Sequence, residues 1–322
     1  MDTPMPNAPV QAYAPASIGN VSLGFDLLGA ALKPVDGSRL GDEVKIHPAG
    51  AFSLEVKGTF AHKLPADSEE NILTQCYRHY HNQAEQQGHQ LEPCAMLLYK
   101  NLPIGSGLGS SASSVVAALD GLNTFYGELF DQQRMLLMMG ELEGQISGSV
   151  HYDNVAPCYL GGLVLMAEQA DNIAINLPVF EDWYWVACYS GIKVSTAEAR
   201  RILPQQVALK DTLTFGRQLG VFVHALHSGD RKLAAAMMQD VIAEPYRKKL
   251  LPGFDEARAF AIQQGALAFG ISGSGPTVFA VCDDLARAEK INQWLSAHYI
   301  QNADGFSHIC QLDPQGSTAK KV

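Results

Sequence analysis

The chain of 322 residues is long enough for two domains with sizeable cores, and its 47% hydrophobic and 17% charged content is that of an ordinary globular protein. A formal net charge of -10 argues against nucleic acid or a membrane surface as partner, so an anion has to be bound locally, by amides, a metal or individual arginines. Six cysteines without any C-x-x-C spacing give neither a zinc-ligand pattern nor a disulfide framework, and fit a reducing cytoplasm.

Residues 1–10, MDTPMPNAPV, hold an acid and three prolines where a signal peptide needs a basic and then an apolar stretch, and they read as a loose extension. No run reaches the length of a membrane span. Residues 10–16 read as a strand leading into SIGNVSLGFD, where Asn20 and Asp26 are the polar candidates; taken singly each is an ordinary turn-former. Residues 40–46 and 52–57 alternate like strands, 71–87 read as a helix, and 94–102 as a strand.

That strand delivers Pro103-Ile104-Gly105-Ser106-Gly107-Leu108-Gly109-Ser110-Ser111-Ala112-Ser113-Ser114. Glycines at alternate positions can take positive φ and bring the backbone close to a ligand, so their N–H groups and those of Ser110 and Ser111 can converge on one anion. Val115, Ala118, Leu119 and Leu122 then share a helix face, so the loop empties onto a helix N-terminus whose dipole favours negative charge. The stretch reads as a polyphosphate cradle. It is not a Walker loop, because no Lys-Ser or Lys-Thr follows the last glycine and Lys100 lies upstream; another group must neutralise the phosphates. Residues 107–112 also match G-x-G-x-x-A with Glu128 downstream, but 123–132 read as a helix end and turn rather than the strand that a dinucleotide fold places there. A plain Gly/Ser helix cap is the bland alternative.

A leucine- and methionine-rich helix over 131–144 carries Glu141 and Glu143 on an otherwise apolar surface, the ordinary reading of Glu143 being a solvated helix end. His151-Tyr152-Asp153-Asn154-Val155-Ala156-Pro157 reads as a polar loop, and 160–166 as a strand. A change of character near 168–178 divides the chain into domains at 11–168 and 169–322. Residues 183–189 read as a strand, and Ser195-Thr196-Ala197-Glu198 as a capping box opening a helix with Arg200 and Arg201. Helices follow over 211–227, 231–242 and 255–264, with Glu244-Pro245-Tyr246-Arg247 between the last two. Paired strands over 266–272 and 277–282 flank Gly273-Ser274-Gly275-Pro276, and a helix over 286–299 and a strand over 306–312 close the chain. With the added helices set aside, the order is βαββαβ, a ferredoxin-like sandwich.

Six segments in this order, residues 14–26, 103–112, 151–157, 195–200, 244–247 and 270–276, resemble the GHMP superfamily of small-molecule kinases, and within it the homoserine kinase group. The resemblance implies an α+β fold with an N-terminal ribosomal-protein-S5-like domain that binds ATP and a C-terminal ferredoxin-like domain. It implies a cytoplasmic enzyme transferring phosphate from ATP to the side-chain hydroxyl of L-homoserine, with no nucleic-acid or membrane partner and with a homodimer allowed. Residues 103–113 would hold the nucleotide and Ser111 and Glu143 the Mg²⁺, with Glu141 as the alternative because the helix register is inferred. Arg200 and Arg247 would take the substrate carboxylate and Asp26 the ammonium, with Asn20, His151 and Thr196 in further contact. Asn154 stands where mevalonate- and galactose-type members carry an Asp base. Neutral Asn would orient the hydroxyl, the proton leaving late, and Asp153 would point the opposite way if the loop is extended. A Rossmann oxidoreductase, a decarboxylase on the same scaffold and a non-catalytic sensor are the rival readings.

Overall fold

In β1 (Val10–Pro15) alternate side chains turn inward, burying Val10, Ala12 and Ala14. The computed structural model describes residues 8–65, 67–147, 150–169 and 172–322, so residues 1–7 of the expected extension lie outside the described residues, while Val10 already belongs to β1. The chain continues through β2 (Ser17–Gly19), β3 (Leu28–Pro34), β4 (Gly41–Pro48), β5 (Ser53–Lys57), α1 (Ile72–Gln86) and β6 (Cys94–Tyr99). Next come α2 (Ser110–Phe125), α3 (Gln132–Ser147), α4 (Val155–Leu160), β7 (Leu163–Gln169) and β8 (Asn172–Leu177). The second half holds β9 (Tyr184–Tyr189), α5 (Thr196–Arg201), α6 (Leu209–Ser228), α7 (Arg231–Met237), α8 (Glu244–Arg247), α9 (Phe254–Gln263), β10 (Ala268–Ile271), β11 (Val278–Cys282), α10 (Leu285–His298), β12 (Phe306–Leu312) and β13 (Thr318–Lys321). No helix among the described residues is long and apolar enough to cross a membrane.

Two sheets organise these elements. The first runs β13-β1-β4-β6-β5, antiparallel except for the parallel pair β5–β6. The second runs β10-β11-β9-β12-β3-β7-β8, with β2 also pairing β3. Its strands β10-β11-β9-β12 are antiparallel throughout and, with α10 crossing between β11 and β12, give the expected βαββαβ sandwich. The halves are hydrogen-bonded to each other: Cys310 of β12 registers with Pro34 of β3, and β13 returns to pair Lys321 with Val10. The boundary expected between 168 and 169 falls inside β7, which pairs with β3 on one side and β8 on the other.

Helix α2 lies at the centre of the first half. Thirteen of its sixteen residues are buried, so it is apolar or small all round rather than amphipathic. Small residues allow close approach to the sheet: a Cβ on Gly121 would sit 3.0 Å from Ile46 Cδ1 and 3.1 Å from Ala12 Cβ. Leu73 and Tyr80 of α1, Leu98 of β6 and Leu136 and Met139 of α3 join Val115, Leu119 and Leu122 in one core.

Several local expectations are corrected. Residues 151–157 are not an open loop, since α4 starts at Val155, and its Pro157 falls in the first turn, where no helical N–H is required. The following strand begins at Leu163 instead of 160, after Gly161 and Gly162 take positive φ. The helix expected to 242 ends at Met237, because Asp240 turns its carboxylate onto the N–H groups of Ile242, Ala243 and Glu244 and opens α8 instead. Ser195 does precede α5, but its side chain makes no capping hydrogen bond. Glu128 sits at φ +61 between helices, so the dinucleotide pattern has no strand acid.

Under the start of α2 lies a charge pair that sequence spacing did not indicate. Lys100 and Asp42 are 2% and 0% exposed and meet as an ion pair; Lys100 Nζ also donates to Ser110 O (2.8 Å) and Ser114 Oγ (3.0 Å). Asp42 accepts from Ser114 Oγ (2.6 Å) and from the N–H groups of Asn101 (2.8 Å) and Leu102 (3.0 Å). Removing one partner of such a pair strands a buried charge, so Asp42→Ala should lower the unfolding free energy by about 3–5 kcal/mol. Urea titration checks this, and the pair Asp42→Leu with Lys100→Met should lose much less.

Candidate active site

The glycine loop leaves β6 and enters α2 with Gly105, Gly107 and Gly109 at φ +68, +79 and +63. Four successive carbonyls are held from other segments: Gly105 O accepts from Val194 N (3.1 Å), Ser106 O from Thr277 N (3.0 Å), Gly107 O from Ser272 Oγ (2.6 Å) and Leu108 O from Ser17 N (3.1 Å). Among the loop amides, that of Leu108 donates to Ser106 Oγ (3.3 Å). The glycines themselves do not simply make room for a ligand. A Cβ on Gly107 would lie 2.4 Å from Ser272 O, and one on Gly109 2.1 Å from Ser17 Oγ, so at both positions the near space is already filled by protein.

A cavity of about 440 Å³ opens over the loop. Of the expected nucleotide residues, Ile104, Gly105, Ser106, Gly107, Gly109, Ser110 and Ser111 line it. Pro103, Leu108, Ala112 and Ser113 do not. Leu108 is packed in the core beneath β3, and Ser113 Oγ donates to Ala14 O (2.7 Å) and accepts from Asp42 N (2.9 Å). Leu64, Pro65, Glu70, Asn71 and Ile72 contribute a mixed stretch of wall that no motif marked.

The register of α3 puts the two glutamates in different surroundings. Glu143 is 6% exposed and accepts a hydrogen bond from Ser111 Oγ (2.6 Å), whereas Glu141 pairs with His79 Nε2 (2.9 Å) and is 42% exposed. Burial pushes the Glu143 carboxyl above the usual carboxylate range, opposed by the Ser111 hydrogen bond. Of the two, it is Glu143 that joins the loop.

His151, Asp153 and Asn154 all line the cavity. Asp153 does not point away as an extended segment would require, because the chain turns at 153–154 into α4. Its Oδ1 meets His151 Nδ1 (3.1 Å), and its Oδ2 accepts from Asn154 Nδ2 (3.2 Å). Asn154 Oδ1 in turn accepts from Ser17 Oγ (2.9 Å). Burial alone would lower the His151 pKa, but the hydrogen bond and charge of Asp153, with the charges of Glu143 and Asp26, hold it above its ordinary value.

On the remaining wall Arg200 grips both oxygens of Asp26 through Nη2 (3.0 and 2.9 Å). Burial raises the Asp26 pKa, the charge of Asp153 adds to this, and Arg200 opposes it. Arg247 is 4% exposed; its Nε donates to Ala199 O (3.2 Å) and its Nη1 to Gly273 O (2.7 Å), and burial lowers its pKa. Both guanidinium groups lie over the Phe25 ring, at 5.8 Å for Arg200 and 5.1 Å for Arg247, a stacking contact to which sequence analysis gave no role. Asn20 lines the cavity while bracing its edge: Nδ2 donates to Gly273 O (3.1 Å) and Oδ1 accepts from Asp26 N (3.0 Å). Thr196, the first residue of α5, also faces the cavity.

The model for the GHMP kinases N terminal domain matches residues 71–162, and that for GHMP kinases C terminal matches residues 222–301. Among solved structures the chain is similar to homoserine kinase from Cytophaga hutchinsonii, at 33% identity over 99% of this chain and 100% of that one, with a TM-score of 0.87. It is also similar to a Listeria monocytogenes protein provisionally called a homoserine kinase, at 23% identity over 97% and 100% of the two chains (TM-score 0.70). L. major mevalonate kinase, in complex with R-mevalonate, is 17% identical over 97% and 99% (TM-score 0.66). The last two likenesses are of fold alone.

Because the Gly107 Cβ position collides with a backbone carbonyl at positive φ, Gly107→Ala should destabilise the protein as well as disturb the loop. A loss of at least about 1–2 kcal/mol is expected in chemical unfolding. An unchanged unfolding midpoint would mean that the 272–275 turn moves aside freely.

Proposed function

The chain belongs to the GHMP kinase family, and from that premise we propose that it is an ATP-dependent homoserine kinase, a cytoplasmic enzyme phosphorylating the side-chain hydroxyl of L-homoserine on the way to threonine. The observation carrying this reading is the wall beside the loop, where Asp26, Arg200 and Arg247 gather around Phe25 and offer one acid and two guanidinium groups to a small zwitterion. The similarity to homoserine kinase from Cytophaga hutchinsonii over the whole chain supports it, and six buried free cysteines suit a reducing compartment.

The start of α2 would hold the phosphates of ATP, since the αL cap at Gly109 places no capping side chain on the first N–H groups of a sixteen-residue helix. Ser111 and Glu143 offer a hydroxyl and a buried carboxylate as adjoining hard ligands; this suits Mg²⁺, which takes one or two carboxylates plus substrate phosphates. When bound there, Mg²⁺ supplies charge neutralisation on the phosphoryl group. The hydroxyl oxygen forms its bond to the γ-phosphorus as the bond to ADP breaks, and a loose transition state asks mainly for position and charge balance. Asn154, tied to Ser17 and Asp153, fixes the edge at which the hydroxyl docks. The hydroxyl proton leaves late, so Asn154 is not asked to act as a base. His151 presents a buried Nε2 that makes no hydrogen bond among the described residues, a ready contact for a substrate oxygen.

Release of ADP measured across homoserine, serine, threonine, mevalonate and galactose should single out homoserine, and a preference for mevalonate or galactose would overturn the reading. Glu143→Gln should lower kcat at least about tenfold while Glu141→Gln stays near the parent.

Arg200→Lys keeps the charge but loses the fork, so the homoserine KM should rise by about 5- to 150-fold with the ATP KM nearly constant. The carboxylate-free 3-aminopropanol should be poorly used and indifferent to the change. Arg247 is less clean a probe, since two backbone carbonyls depend on it.

A further inference from the structure

Four lysine and arginine side chains line the cavity: Lys100, Lys193, Arg200 and Arg247. Three are already committed. Lys100 is buried on Asp42 and Ser110 O, while Arg200, paired with Asp26, and Arg247, braced on Ala199 O and Gly273 O, are the two guanidinium groups assigned above to the substrate. Lys193 is exposed and makes no ion pair or hydrogen bond among the described residues, yet it is not a loosely placed surface lysine. The next residue straps its backbone to the glycine loop through Val194 N to Gly105 O (3.1 Å). Its stem runs across the loop, with Cγ and Cε at 2.8 and 3.3 Å from the position of a Cβ on Gly105. The ammonium is one bond beyond Cε, and the residue lines the cavity.

We infer that Lys193 is a polyphosphate contact, the mobile positive charge that the loop lacks in its own sequence, delivered from the segment after β9. The net charge of -10 makes such a local cation matter, because the long-range field of the protein repels a nucleotide polyphosphate. A flexible stem suits the role, since the ammonium can follow negative charge from the transferring phosphoryl group towards ADP as the P–O bond breaks. No bond to the lysine forms or breaks. The inference rests on the nucleotide reading above.

Lys193→Met and Lys193→Arg, made in the full chain, test it through calorimetric dissociation constants for ATP, ADP and AMP and through the two KM values. Lys193→Met should weaken ATP about tenfold, leave AMP and the homoserine KM within about twofold, and leave Tm in place because the side chain is exposed. Lys193→Arg should restore most of the loss. Unchanged ATP affinity in Lys193→Met overturns the inference. An equal loss for AMP and ATP, or a loss confined to homoserine, overturns it too, assigning the lysine to the nucleoside or to the substrate carboxylate. If the parent binds homoserine but no nucleotide, the kinase reading itself falls, and the inference with it.

Discussion

The carbonyl of Gly273 receives two side chains from opposite directions, Asn20 Nδ2 from the first half of the chain and Arg247 Nη1 from the second, while Gly273 N donates to Gly19 O (3.1 Å). Around this peptide the walls of the cavity are joined. Asn20 passes the constraint to Asp26 through its backbone, Arg247 passes it to α5 through Ala199 O, and the neighbouring Ser272 and Thr277 hold the glycine loop by its carbonyls. Loop, acid and guanidinium groups are therefore positioned by one set of backbone contacts. Hydrogen bonds from buried charged groups are worth more than neutral ones, and leaving such a carbonyl without them is costly.

This bracing has a local conformational cost. Asn20, Val21 and Ser22 stand at φ +69, +46 and +64, and Asp26 at +57. For asparagine the left-handed region is tolerable; for a β-branched valine it is a genuine outlier, held only because its surroundings over-determine it. Val21 is fully buried in the core beneath β3, so packing and the Asn20 contacts together hold a turn that local preference would not choose.

Much of the architecture was legible in the chain. The glycine loop, the central helix launched from it, and the βαββαβ order of the second half all carry strong local signals, in alternate glycines, an apolar run and turn residues at the right intervals. What escaped depended on distant partners. Strand β13 has the burial pattern of an edge strand, and only its pairing with β1 gives it a place. Lys100 was noted only as lying upstream of the loop, and nothing local marked its pairing, because its partner Asp42 lies 58 positions away. Asp153 looked turned away because an alternating strand was assumed where the chain in fact turns into a short helix. Phe25 carried no polar signal at all. The α3 register, open between Glu141 and Glu143 in the sequence, was resolved by burial, since one residue meets Ser111 and the other His79 and solvent.

The Asp26–Arg200 pair has one further consequence. The cavity wall holds its two opposite charges already joined, each 32–36% exposed, so that a ligand meets a closed clasp rather than two waiting electrodes. A singly charged visitor must open the clasp and leave one jaw uncompensated. A zwitterion replaces both jaws' partners in the same movement, trading one ion pair for two. Selection of this kind works by exchange instead of attraction, and it filters by the spacing of charges within the ligand, independently of how strongly the protein as a whole attracts or repels it.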